Sequence, residues 1–352
     1  MQDSNTAEEK WHSYWLIVIL ALAASVRFYA LDKYSLNAQE LFSVSFCSVD
    51  GWLATAVQYA ERTGMPALYP TLLCGFVDGF GSSDFAIRSF SAVVGVSIVY
   101  IVYLLGRDFF SAPTGILAAA LVAINAPNIL IDRSVSSYSL LAFLLLLQSY
   151  LFCHLLCGDG RQKSSIDIHI SQGGFGFRCR WSPNIPCNLH WLIGFWVSSA
   201  FAFAVNPVAL IFWGAEAITF LLLVDRSTRK ALAIWLWTPL AMVALLWFPR
   251  VVGMWRWIQT GNFFGMPGVT DEFFIKVLDI FSQDSVALKV ELFLVCVCCF
   301  VAAVSIFKST LSNKEKGFLV LSMCYAVVAG IALFFIKAVD QRSFICLSSM
   351  AF

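Results

Sequence analysis

The chain has 352 residues, of which 59% are hydrophobic and 13% charged, against roughly a quarter charged in soluble domains. A mean hydropathy of +0.78, with 32 Phe and 12 Trp, excludes an ordinary soluble domain. A net charge of +1 gives no reason to expect nucleic acid as a partner. The composition is that of an all-α polytopic membrane protein.

Windows of about 20 apolar residues mark the expected spans. The N-terminal stretch MQDSNTAEEKWHSYW is too acidic for the leading region of a cleaved signal peptide, and no small-residue cleavage site follows. The first span, Ser13 to Leu31, is therefore expected to be retained. Later spans are read at Phe90 to Leu105, Pro113 to Ile131 and Tyr138 to Leu156. Pro113 falls in a first helical turn, where a missing N–H costs little. The apolar run Trp191 to Val224 is too long for one helix, and Asn206-Pro207 divides it, because proline cannot continue the hydrogen-bond ladder. Such a break is expected to line the protein interior, since lipid cannot satisfy freed backbone groups. Ala231 to Phe248, Val286 to Phe307 and Gly317 to Ile336 follow. The total is about nine full spans, and Phe344 to Phe352 reads as the opening of another.

Lys and Arg set the orientation. With the N-terminus in the cytoplasm, Lys10, Arg107, the insert over 158–190, the run Arg226-Arg229-Lys230 and Lys308-Lys314-Lys316 all face inward. Their density is about twice that of the opposite side. The 158–190 insert contains SQGGFGFRCRW; it is read as flexible, without the strand–turn–helix setting of a nucleotide loop. The non-cytoplasmic side then carries 32–88, the turn around Asn128–Ser137, and a second outer segment over 250–285 with Trp255-Arg256-Trp257. The whole, 1–352, is read as a single transmembrane domain.

The 31–88 stretch is too polar to cross a bilayer and too apolar to stand free. It is expected to form amphipathic helices on the outer surface, and it carries Asp32, Glu40, Asp50, Glu61, Asp78 and Asp84 among aromatics. Arg27 lies just inside the outer end of the first span, deep enough to need a partner, and Glu40 and Asp32 are the candidates. Asp132 and Arg133 are adjacent, so a private ion pair between them is not assured. Of the 11 cysteines, Cys296, Cys298 and Cys299 read as small hydrophobes in an apolar run. Cys153, Cys157, Cys179, Cys187 and His190 are near one loop, but their spacings fit no zinc site well, so thiols without a metal are expected.

Several phrases, in order, resemble the GT-C class of membrane glycosyltransferases, closest to the dolichyl-phosphate-mannose and aminoarabinose-transferase-like members. SLNAQELFS follows the first span where that family has an acidic pair. GMPALYPTLL is similar to its "PPly" phrase. GSSDFAIRSFSAVVGVSIVYIVYLLGRDFF and GILAAALVAINAPNILIDRSVSSYSLL are similar to the two segments that follow. The resemblance covers about Val18 to Phe152 in good order. It implies a GT-C-type helical bundle that moves a sugar from a polyprenyl-phosphate carrier to an acceptor on the non-cytoplasmic face. A carboxylate acts there as general base, and fixed positive charge holds the leaving phosphate. Carried over by position, Glu40 matches the second acid of the pair, and Glu40 and, as a replacement base outside the motif, Asp132 are the catalytic candidates. Arg88, Arg133 and Tyr138 are the phosphate contacts, and Gln39, Asp50 and Tyr69 are further candidates. A divalent cation is compatible with such chemistry, although no metal ligand set is identified.

The departures from that pattern define a second reading. Gln39 stands where the family has its usual base, and an amide cannot take a proton at neutral pH. Met65 and Ala67 flank Pro66 where a basic residue and a second proline are usual. Ser134 and Ser136 replace an acid and an arginine. Scaffold positions persist while polar ones change, as expected of a catalytically degenerate member serving as an accessory subunit of a larger membrane complex. The expected partners are membrane lipid and a polyprenyl-phosphate-linked sugar, or, in the second reading, an integral membrane protein. A bacterial inner membrane is the expected location.

Overall fold

The computed structural model describes residues 2–48, 51–63, 66–157, 165–171, 174–180, 189–206, 208–223 and 318–324, with Trp237, Ala241 and Val243. Their regular structure is helical apart from one hairpin. In order they form α1 (Gln2–Phe28), α2 (Ala38–Ser45), a 3₁₀ turn (Phe46–Ser48), α3 (Trp52–Thr63), α4 (Leu68–Phe80), α5 (Asp84–Phe109), α6 (Ala112–Ile124), α7 (Ala126–Asp132) and α8 (Ser137–Cys157). Two antiparallel strands, β1 (Ser165–Ser171) and β2 (Gly174–Arg180), pair with Ser165 opposite Arg180 and Ser171 opposite Gly174. The insert expected to be flexible therefore contains a hairpin. Then come α9 (Leu189–Val205) and α10 (Ala209–Leu223), and residues 318–324 are helical.

Trp11–Phe28, Asp84–Phe109 and Ser137–Leu155 are long and apolar enough to cross a membrane, and the chain is an integral membrane protein. The bent pair α6–α7 makes a fourth crossing if counted as one span. Sequence reading takes Pro113 to Ile131 as one continuous span. The helix instead breaks at Asn125 and turns through 64°. Asn125 is extended (ψ 111°), and its Oδ1 accepts the Asn128 N–H at 3.1 Å, so it caps a new helix whose first turn holds a proline. The break expected at Asn206-Pro207 is present, between α9 and α10, with Asn206 Oδ1 accepting the Val208 N–H at 3.0 Å. The spans expected at 231–248 and 286–307, most of 317–336, and the 250–285 segment lie outside the described residues.

The chain divides into two compact units. The first holds residues 1–151 and 197–209, the second residues 152–196 and 210–352. In the first unit α5 is the central element, packed on α1, α4, α6 and α7. Small residues set its closest crossing. A Cβ on Gly106 would run into the Gly115 backbone, and one on Gly115 into the Tyr103 carbonyl. Between α1 and α5 the chain forms the α2–α4 cap. Asn37 opens α2, its Oδ1 accepting the N–H groups of Gln39 (3.0 Å) and Glu40 (2.9 Å). The Cys47–Cys74 disulfide joins the 3₁₀ turn to α4. Gly81, at φ +97°, ends α4 with its N–H on Val77 O at 2.8 Å, a conformation in which glycine pays no steric cost. Ser83 then caps α5. In the second unit, Phe152 and Phe195 pack with centroids 5.7 Å apart, and the His154 and Trp191 rings stack at 4.5 Å.

Candidate functional site

Three arginines, two carboxylates and one run of main chain make up the site, all within the first unit. Arg88 sits on the second turn of α5, where its side chain reaches back along the helix toward the cap. Its Nε donates to Glu40 Oε1 at 3.1 Å and its Nη2 to Glu40 Oε2 at 2.8 Å. Nη1 donates to the carbonyls of Leu31 and Tyr34, both at 2.7 Å, and Nη2 also to Ser35 O at 3.2 Å. All five donors of the guanidinium are thereby used. The bidentate form suits the matching planes of the two groups, and the pair is buried, with Arg88 7% and Glu40 3% exposed.

Glu40 is equally saturated. Oε1 also accepts the Val135 N–H at 3.0 Å, and Oε2 accepts the Asn37 N–H at 2.9 Å. The second of these bonds closes a capping box with Asn37 at the start of α2, which satisfies two orphan donors reciprocally. Burial pushes the Glu40 carboxyl up, but the Arg88 hydrogen bond and the Asn37 and Val135 N–H groups outweigh it. The net effect holds it below its ordinary value of 4.5. With four donors on two oxygens, this carboxylate has no open lone pair for an incoming proton.

The second pair lies deeper. Arg27, fully buried on α1, donates from Nε to Asp132 Oδ2 at 2.9 Å. Its remaining donors point to the carbonyls of Ala123 (3.2 Å), Ala23 (3.4 Å) and Val122 (3.5 Å), two of which are among the last carbonyls of α6, beside the point where that helix breaks. Asp132 Oδ1 accepts the Ser139 hydroxyl at 2.8 Å. Gly95 of α5 makes room for this carboxyl, and a Cβ there would collide with it. The sequence offers Asp32 and Glu40 as partners of Arg27, but neither is its partner. Asp32 is exposed, and the arginine faces across the bundle to α7 instead of along its own strand of chain.

Arg133 caps the C-terminus of α7. Its Nη2 donates to Tyr29 O at 2.7 Å and to Ala30 O at 3.4 Å, the latter on a residue at φ +50°. Its Nε and Nη1 carry no hydrogen bond among the described residues, and the side chain is half-buried. Arg88 and Arg133 together hold the carbonyls of the run leaving α1, while the Arg133–Ser139 turn supplies Val135 to Glu40 and Ser139 to Asp132.

The remaining candidates scatter around this core. Gln39 is exposed on the first turn of α2. Tyr138 is half-buried at the start of α8, its N–H on Ser136 Oγ at 3.3 Å. Ser134 Oγ returns to Ile131 O at 2.8 Å. Pro66 and Ala67 are buried before α4. Tyr69 is buried with its ring 5.9 Å from Phe90, and its hydroxyl lies by the buried Ser91 hydroxyl. Asp50 and Met65 lie outside the described residues. Sequence reading did not single out Asn37, Ser139, Gly95 or the Cys47–Cys74 bridge. Asn37-x-x-Glu40 ahead of an apolar pair is a capping-box signature and could have been found. No spacing signal singles out two cysteines among eleven.

A family model described as dolichyl-phosphate-mannose-protein mannosyltransferase matches residues 65–180. No curated protein matches the chain. Among solved structures, ArnT from Cupriavidus metallidurans in the apo state superposes with a TM-score of 0.63 at 12% identity, covering 96% of this chain and 58% of that one. The apo oligosaccharyltransferase of Archaeoglobus fulgidus gives 0.60 at 12% identity, covering 97% and 49%. The archaeal oligosaccharyltransferase AglB of the same organism, in complex with an inhibitory peptide and a dolichol-phosphate, gives 0.57 at 11% identity, covering 98% and 50%. The chain thus spans about half the length of the structures it matches, and the likeness is one of fold.

Proposed function

We propose, for a chain that carries the GT-C-type fold, a membrane glycosyltransferase-like function. It engages a polyprenyl-phosphate-linked sugar on the non-cytoplasmic face, with Arg133 as the contact for the carrier phosphate. The observation that carries this reading is the difference between the arginines. Arg88 has every donor committed to Glu40 and main-chain carbonyls, whereas Arg133 is half-buried with Nε and Nη1 open among the described residues. An anion needs donors not already in use. Placement of the cap on the non-cytoplasmic side is supported by the Lys/Arg asymmetry and by the Cys47–Cys74 disulfide, since disulfides persist in oxidising compartments. Binding of a polyprenyl-phosphate sugar to purified protein tests the reading. Arg133→Gln is expected to weaken it by about tenfold or more, the effect of one charge-assisted contact. Unchanged binding in that variant would overturn the phosphate assignment.

A second reading has its own support: a catalytically degenerate GT-C-fold subunit of a larger assembly. Both candidate bases, Glu40 and Asp132, are committed to buried arginines, and Gln39 stands exposed at the position of the family's usual acid. Sugar release from the polyprenyl-phosphate donor, assayed in wild type and Gln39→Asp, separates the two. Turnover in the wild type supports the enzyme. Turnover only in Gln39→Asp indicates a donor site that has lost its base. Silence in both, with a stoichiometric membrane protein co-purifying in mild detergent, supports the subunit.

A further inference from the structure

We propose that α3 is a hinged cover over the α2–α4 cap, and that the redox state of Cys47 and Cys74 sets whether it is seated. Within the described residues α3 packs mainly against α4 and the 3₁₀ turn, and these are the two elements that the disulfide joins. The bridge closes a loop over 27 positions, and the whole of α3 lies inside that loop. What seats the helix is otherwise modest. Thr55 Oγ1 reaches Phe46 O at 3.4 Å, the Tyr59 ring meets Phe46 edge-on at 5.0 Å, and the Arg62 guanidinium lies 5.7 Å over the same ring. All three contacts converge on Phe46, the residue next to Cys47. The outer face of α3 holds nothing inward, with Trp52, Leu53 and Val57 exposed. At its start Gly51 has φ +93° with open space where a Cβ would stand, a joint free to swing.

The covalent tie therefore adds to the packing of the 3₁₀ turn on α4 in keeping the Phe46 side and the α4 side of the cover together. A closed loop of this size removes much of the freedom that local opening would gain. Forming the bridge takes two electrons and two protons from the Cys47 and Cys74 thiols and passes them to a disulfide-bearing oxidant. Opening it returns them from a dithiol, leaving two free thiols. Tyr59 of α3 is an electrostatic neighbour of the buried Tyr69 hydroxyl on α4.

Limited trypsin digestion of the full-length protein in detergent tests this, followed at Arg62 within α3 and at the exposed Arg107 as internal control. The comparison covers protein purified without reductant, the same protein after dithiothreitol, and the Cys47→Ser/Cys74→Ser variant. Cleavage after Arg62 is expected to rise by about tenfold or more in the last two forms, with Arg107 cleavage unchanged. Hydrogen exchange of the α3 amides is expected to accelerate in parallel. In the oxidised form a chain nicked at Arg62 keeps its mass on a non-reducing gel, because the bridge spans the nick. Equal Arg62 cleavage and equal α3 exchange in all three forms would overturn the proposal, as would free Cys47 and Cys74 thiols in protein never exposed to reductant.

Discussion

Replacing Glu40 with alanine should loosen the whole junction between α2, α5 and the Arg133–Ser139 turn. The substitution removes four acceptor bonds at once: two to Arg88 and one each to the Asn37 and Val135 N–H groups. Their losses are unequal. Asn37 is exposed, so water can take over its N–H. Val135 is buried, and an orphaned buried N–H costs about 1–3 kcal/mol. Arg88 keeps three carbonyl partners but loses its counter-charge in a buried setting. Removing one member of a buried pair costs about 3–5 kcal/mol in all. The carbonyls cushion the guanidinium, so the expected loss is near the lower end, about 3 kcal/mol. The assay is unfolding in mixed detergent micelles, followed by tryptophan fluorescence. The Glu40→Leu/Arg88→Leu double variant should cost less than the sum of the two single changes, by about 2 kcal/mol. A Glu40→Ala loss under about 1 kcal/mol, the level of exposed ion pairs, would refute the view that this pair braces the cap.

The same pair gives a pH signature. Folding holds the Glu40 carboxyl below its ordinary 4.5, so its contribution is present above that pH and lost as pH falls through the folded value. The stability gap between wild type and Glu40→Gln should be full at pH 7 and shrink below about pH 4; a gap that ignores pH would contradict the pairing. Gly95→Ala forces a Cβ into the Asp132 carboxyl and should destabilise by about 1–3 kcal/mol. Gly79→Ala, on α4 with open space around it, should stabilise by about 0.4–1 kcal/mol, so the two alanines should move the unfolding midpoint in opposite directions. Asn37→Ala removes the cap of α2 and should cost about 0.5–2 kcal/mol; an unchanged midpoint would mean α2 is held by its packing alone.

Helix existence was legible where physics is local. Runs of apolar residues place α1, α5 and α8 because hydrocarbon demands them, and Asn206-Pro207 was readable as a break. Pro127 was equally visible but sat inside a window apolar enough to pass as one span, so the 64° turn went unread. The site was legible as a set of positions and not as a set of pairs. Arg27 visibly lacked a local partner, yet the group that answers it lies 105 residues away, beyond any periodicity. Arg88 and Glu40 were read as a phosphate contact and a base; that they face each other across 48 residues depends on how the cap folds back.

Arg88 and Arg133 hold the run after α1 by carbonyl oxygens of Tyr29, Ala30, Leu31, Tyr34 and Ser35, atoms that every residue type carries. Of the side chains along that run, Leu31 is buried, while Tyr29 is 75% and Tyr34 70% exposed and Asp32, Lys33 and Ser35 also face outward. The course of this strip is thus written in one alphabet and its outward face in another. The outward side chains there, those of Tyr29, Asp32, Lys33, Tyr34 and Ser35, can be exchanged by selection or by design without removing the carbonyls that hold the frame, whereas Leu31 is buried and Ala30 holds φ +50°.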